Sequence, residues 1–279
     1  MGQSKEYPLY TAVDTADIAK YRERLSFLGF SMENLLEYRN FARTYAYSND
    51  PLGEYIYAST FDLYPFGLGD AISADTAMVY YKRAADKNLA LAEEFLFTAY
   101  KYGLMTIEED SKTALEYLER LMLHGDSSYK ANAYRQVALL YYNGNFKEIK
   151  VDTIKTKENL ELSLKYDSTD TWTIDFLGGI YEDEADYEKA IELLLKSGNS
   201  QSHLKVAEWL VDGEKVKKDF ERGLSIILSE AEKLINSDIN VYQYMAARNP
   251  VFMLNDLYQS KQITRDQLGE FYLENYFKD

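Results

Sequence analysis

Apolar residues recur along the chain three and four places apart, the period of an amphipathic helix, and polar clusters cut the pattern into segments. Ile18, Tyr21, Leu25 and Leu28 fall on one helical face, and Gly29 ends the run. Leu35, Tyr38, Ala42 and Tyr45 repeat the spacing until Ser48-Asn49-Asp50-Pro51 stops it. Five further apolar stretches close at Tyr64, Tyr100, Tyr141, Tyr181 and Leu210, and each precedes a polar turn and a second helix. Glycine follows four of these anchors, at Gly67, Gly103, Gly144 and Gly213, where a helix end needs a residue that tolerates positive φ.

The second helices are expected to begin at Ser73, Asp110, Thr156, Asp186 and Asp219, whose side chains accept hydrogen bonds from free backbone N–H groups. One turn further on stand Ala77, Ala114, Leu160, Ala190 and Gly223, mostly small residues that let helices approach closely. The interval from Tyr141 to Leu160 is the longest of the five and predicts an extended loop near Asn145 to Lys155. That from Tyr181 to Ala190 is the shortest and predicts a tight turn.

Two-helix units of this kind cannot bury their apolar faces alone and do so by stacking. The expected fold is all-α: a right-handed α-solenoid of stacked antiparallel helical hairpins. An N-terminal helical cap is expected over residues 1–50, five repeats over 51–237 and capping helices over 238–279, in one continuous domain. The last helix is expected from Thr264 to Phe277, with Leu268, Phe271, Tyr272 and Tyr276 on its apolar side.

From about Pro51 to Ser237 these residues resemble the Sel1-like repeat family, relatives of the tetratricopeptide repeats. The likeness is carried by A-L-A-E-E-F-L-F-T-A-Y-K-Y-G from Ala90 to Gly103 and by D-S-K-T-A-L-E-Y-L from Asp110 to Leu118. Tyr80 to Asn88 adds Y-Y-K-R-A-A-D-K-N. The unit from Trp172 to Ser197 is closer to a plain tetratricopeptide repeat, with Leu177, Gly178, Tyr181 and Ala190 at that spacing. Leu210 in place of an aromatic residue and Gly223 in place of alanine depart from the pattern. The resemblance implies scaffolding or regulation of protein assemblies, in bacteria often at or outside the inner membrane. It points to an exported chain whose signal has been removed, and otherwise to a cytoplasmic one.

Charge narrows the partner. With 31 basic and 46 acidic residues the net charge is −15, which repels nucleic-acid phosphates and anionic lipid headgroups. No apolar run reaches the roughly 18 residues of a membrane span, so membrane insertion is not expected. The absence of cysteine excludes disulfides, thiolate zinc sites and cysteine nucleophiles.

Catalytic signals are missing. His124 and His203 lie in different repeats without metal-ligand spacing and read as surface or interhelix residues. Glu182-Asp183-Glu184-Ala185-Asp186 lacks the glycine and distant glutamate of a calcium loop. Phe66-Gly67-Leu68-Gly69-Asp70 lacks the lysine of a phosphate loop. Adjacent carboxylates such as Glu93-Glu94 point in different directions on a helix and form no acid/base pair. No cofactor, metal or enzyme activity is expected.

The 26 tyrosines suit interhelix packing, with the ring buried and the hydroxyl at a wet edge; some could also line a groove and stack on peptide or sugar. Aligning the anchors with the positions that tetratricopeptide repeats turn toward their groove selects Tyr55 and Asp62 in the first unit. Glu94, Lys101 and Tyr102 follow in the second, and Asn132, Arg135 and Tyr142 in the third. The fourth gives Trp172, Asp175, Glu182 and Asp183, and the fifth Gln201, Glu208 and Asp212. Such a groove has aromatic steps, a mixed-charge centre near Lys101 and Arg135, and an acidic end from Trp172 onward. It suits another protein or peptide of basic or amphipathic character. The alternative is a glycan-binding or polysaccharide-export component that uses the same aromatic residues. The oligomeric state is left open.

Overall fold

The computed structural model describes residues 32–61, 71–144, 149–237 and 248–269. The expected first helix around Ile18 to Leu28, the anchor Tyr64 with Gly67, residues 238–247 at the start of the expected capping helices and the chain after Gly269 lie outside those residues. Among the described residues the regular structure is helical, with no strand. Contacts divide the chain into two compact units, residues 1–168 and 169–279.

In the first unit the helices are α1 (Met32–Tyr47), α2 (Pro51–Ser59), α3 (Ala71–Ala85), α4 (Ala90–Tyr102), α5 (Ser111–His124), α6 (Ser127–Asn143) and α7 (Thr153–Tyr166). Each packs against the next. The second unit has α8 (Thr171–Asp183), α9 (Tyr187–Lys196), α10 (Ser200–Asp212), α11 (Phe220–Ile235), α12 (Pro250–Gln259) and the short α13 (Arg265–Leu268). There α8 to α12 likewise pack in succession.

The recurrent anchors have a backbone cause. The carbonyls of Tyr100, Tyr141, Tyr181 and Leu210 each accept the N–H of the aspartate that caps the following helix, Asp110, Asp152, Asp186 or Asp219, at 2.9 Å in all four cases. Because the bond is main-chain, Leu210 replaces tyrosine without loss of the hairpin closure. Gly103, Gly144 and Gly213 stand at the helix ends with φ of 63°, 60° and 74°, the left-handed conformation expected of them.

Two expected caps are corrected. Helix α7 is capped by Asp152, whose carboxylate accepts from the Lys155 N–H at 3.0 Å. Thr156 is buried inside the helix, and its hydroxyl donates to the Asp152 carbonyl. Thr156, not Leu160, is therefore the small residue one turn after the cap, matching Ala114, Ala190 and Gly223. Ser73 likewise lies within α3, which starts at Ala71.

Gly223 answers to local crowding. A Cβ there would stand 2.8 Å from Val211 Cγ2 and 2.9 Å from the Ala207 carbonyl oxygen, so even alanine is too large where α10 and α11 cross. Tyrosines fill the interhelix seams: Tyr81 is 1% exposed and stacks on Phe95 at 3.8 Å, and Tyr100 stacks on Tyr117 at 5.9 Å. Burial pushes the Tyr117 phenol up to about 12.

The two units also bury carboxylates. Glu54 on α2 pairs with Arg83 at 2.6 Å and Lys87 at 2.5 Å, from α3 and the turn after it. Glu93 on α4 pairs with Arg120 at 2.9 Å and faces His124 at 3.5 Å, both on α5. Ala77 and Ala114 set a register in which Arg83 corresponds to Arg120 and Lys87 to His124, so one ion lock is built twice. In the second unit the polarity is exchanged: His203 on α10 faces Glu230 on α11 at 2.8 Å, with Lys233 at 2.6 Å and the Ser200 hydroxyl at 2.5 Å. Both histidines are thus interhelix residues.

Candidate functional site

Helices α2, α4 and α6 each bring one face to a cleft of about 300 Å³ in the first unit. Tyr55 enters from α2, Leu91, Glu94, Phe95, Phe97 and Thr98 from α4, and Asn132 and Gln136 from α6. The arrangement follows from the helix period: Glu94 and Thr98, like Asn132 and Gln136, stand one turn apart on a shared face. Glu93, next in sequence to Glu94, points the other way into the core and is 0% exposed.

The cleft polar groups are tied to one another. Asn132 Nδ2 donates to Glu94 Oε1 at 2.5 Å, and its Oδ1 accepts from Arg135 at 2.9 Å. Lys101 Nζ reaches Gln136 Oε1 at 3.5 Å and lies over the rings of Phe97 at 5.3 Å and Tyr102 at 4.9 Å. Burial raises the Glu94 carboxyl above its ordinary range, against the Asn132 hydrogen bond and the Arg135 charge. Tyr102 and Tyr142 are exposed near the ends of α4 and α6. The structure thus brings Tyr55, Glu94 and Asn132 together at one cleft, with Arg135 and Lys101 bonded to residues that line it. Asp62 lies outside the described residues.

In the second unit the candidates are dispersed over several contacts. Trp172 is 44% exposed and stacks on Phe176 at 5.0 Å. Asp175 accepts hydrogen bonds from Asn199 at 2.6 Å and Ser202 at 2.7 Å. Glu182 binds Lys205 at 2.6 Å and Lys215 at 2.8 Å. Burial alone would raise its carboxyl, but the two lysines outweigh that and hold it below the ordinary range. Gln201 exchanges two 2.8 Å bonds with the Arg248 backbone, and the Arg248 side chain pairs with Glu208 at 2.9 Å. Asp183 and Asp212 are exposed.

The expected acidic end is therefore partly neutralised from within, because Lys205, Lys215 and Arg248 come from other parts of the unit. Sequence reasoning selected Glu94 and Asn132 but missed Thr98 and Gln136, which the same one-turn rule would have found. Among the described residues, no group of histidine, aspartate and glutamate side chains is arranged to hold a metal, and no helix is long and apolar enough to cross a membrane.

Stacked helical hairpins closed by a repeated backbone bond define an α-solenoid repeat protein. The Sel1 repeat profile matches at residues 52–89, 90–126, 131–164, 176–202 and 200–225, and the chain belongs to the Sel1 repeat family. Members of this family mediate protein–protein interactions and are typically non-catalytic scaffolds. A Sel1 repeat protein from Oxalobacter formigenes shares the fold with a TM-score of 0.52 and 17% identity, over 91% of this chain and 92% of that one. So does c5321, a protective antigen present in uropathogenic Escherichia coli strains, with a TM-score of 0.50 and 20% identity over 86% of this chain. The chain spans 56% of the length of that second protein. Comparison with curated proteins finds no match.

Proposed function

We propose that the chain is a non-catalytic adaptor that binds a segment of another protein along its first-helix faces. The observation carrying this reading is the cleft between α2, α4 and α6, where an apolar floor meets polar groups hydrogen-bonded to one another. At about 300 Å³ it is at the small end of ligand pockets and accommodates side chains rather than a folded domain. Tyr55 and Phe95 offer aromatic area, while Glu94, Asn132 and Gln136 offer both acceptors and donors for a peptide backbone. Sel1 membership supports the same class of work.

A displayed peptide library panned on the native chain tests this reading, with Glu94→Ala/Arg135→Glu as the comparison. Enriched peptides should bind the native chain at least about tenfold more tightly than the correctly folded variant. Equal binding to both would remove the cleft from the account. A glycan partner is the second reading, favoured by the half-exposed Trp172 ring backed by Phe176. Saturable oligosaccharide binding that is lost in Trp172→Ala would support it.

A further inference from the structure

A second cleft, of about 380 Å³, opens in the second unit between α10, α11, α12 and the turn that follows α12. Its floor is apolar: Val211, Ile227, Met253 and Leu257. Its rim carries Glu208, Asp212 and Asp256. Glu208 is compensated by Arg248, but Asp212 and Asp256 are exposed and have no ion pair or side-chain hydrogen bond among the described residues. The cleft thus combines a place for apolar side chains with two uncompensated negative charges.

We propose that this cleft seats a basic protein segment, with a large aliphatic side chain on the Val211–Met253–Leu257 floor and lysine or arginine side chains against Asp212 and Asp256. Charge selects this occupant over the chain's own C-terminal stretch. Residues 270–279 hold Glu270, Glu274 and Asp279 against the single Lys278, so they share the sign of the rim. A basic flank is attracted by the rim, and the apolar floor supplies what charge alone lacks. The proposal rests on the adaptor reading in taking a protein as occupant, but it does not involve the α2–α4–α6 cleft.

A short fluorescein-labelled peptide with Leu-Leu between two Lys-Lys pairs tests it by anisotropy on the full chain. Saturable binding is expected, weakened about fivefold to tenfold in Asp212→Asn/Asp256→Asn and more than about tenfold when the peptide leucines become serines. Glu116→Gln/Glu119→Gln, which removes the same charge from the exposed side of α5, should change affinity less than about twofold. Glu94→Ala/Arg135→Glu should also leave this probe bound, so failure of the first cleft is read separately. Absence of binding, equal binding of the serine peptide, an equal loss in the α5 variant, or displacement by a peptide of residues 270–279 would each overturn the proposal.

Discussion

Removing Arg120 isolates the energetics of the repeated ion lock. Glu93 is 0% exposed, its Oε1 accepts from Arg120 Nε at 2.9 Å, and its Oε2 has no hydrogen-bond partner among the described residues. The guanidinium also donates to the Ala85 carbonyl. Arg120→Met preserves most of the side-chain volume but strands a buried carboxylate, a change that costs about 3–5 kcal/mol for fully buried pairs. The Arg120 side chain is 27% exposed, which places the expected loss near the lower end, about 3 kcal/mol.

The loss should depend on pH in a definite direction. Burial raises the Glu93 carboxyl above its ordinary range despite Arg120 and His124, so the folded chain holds this proton more tightly than the unfolded one. Its contribution to stability is complete below the ordinary carboxylate pKa and is lost as pH rises through the raised value. Without Arg120 the value rises further. Measured near about pH 5 and again near about pH 8, the loss should be smaller at the acid end, where protonation reduces it toward a missing hydrogen bond of about 1 kcal/mol, and larger at the alkaline end, where ionisation carries it toward about 3. Urea unfolding followed by far-ultraviolet circular dichroism at both pH values, repeated in a Glu93→Gln background, measures this. A loss below about 1 kcal/mol near pH 8, or one unaffected by Glu93→Gln, would refute the buried-charge reasoning.

Three further outcomes follow from single contacts. Gly223→Ala should lower stability by about 1–3 kcal/mol in thermal unfolding, since its Cβ meets Val211 and the Ala207 carbonyl at under 3 Å. Asp152→Ala should cost about 1 kcal/mol by urea titration, through the lost cap alone, because the Asp152 N–H bond to Tyr141 survives in alanine. Burial raises Glu230, but bonds from Lys233, Ser200 and His203 outweigh it and leave it lowered. Its stabilisation is therefore present above the ordinary carboxylate range and lost as pH falls through the lowered value, and Glu230→Gln should flatten the acid limb of the stability curve.

The hairpin plan was legible because it is written in local chemistry: glycines at left-handed helix ends, aspartate caps and small residues one turn later. Thr156 was misread because threonine is itself a good cap, and the charged stretch containing Asp152 hid the earlier start of α7. The buried locks were overlooked for a different reason. Glu93 stands beside Glu94 and looks like part of a solvated run, yet Ala90, Glu93 and Phe97 share one helical face, and that face is the core. Charge at the second-unit rim misled as well, since the cations that neutralise Glu182 and Glu208 come from distant positions that composition does not reveal.

Site-specific photo-cross-linking in the source cell tests the adaptor claim most directly. A benzophenone amino acid replaces Tyr102, 61% exposed at the end of α4, or Leu123, 71% exposed on α5. The account predicts a discrete protein adduct from position 102 that disappears in the Glu94→Ala/Arg135→Glu background, with none from position 123. The same adduct from both positions, or one from position 102 that persists in that background, would contradict it.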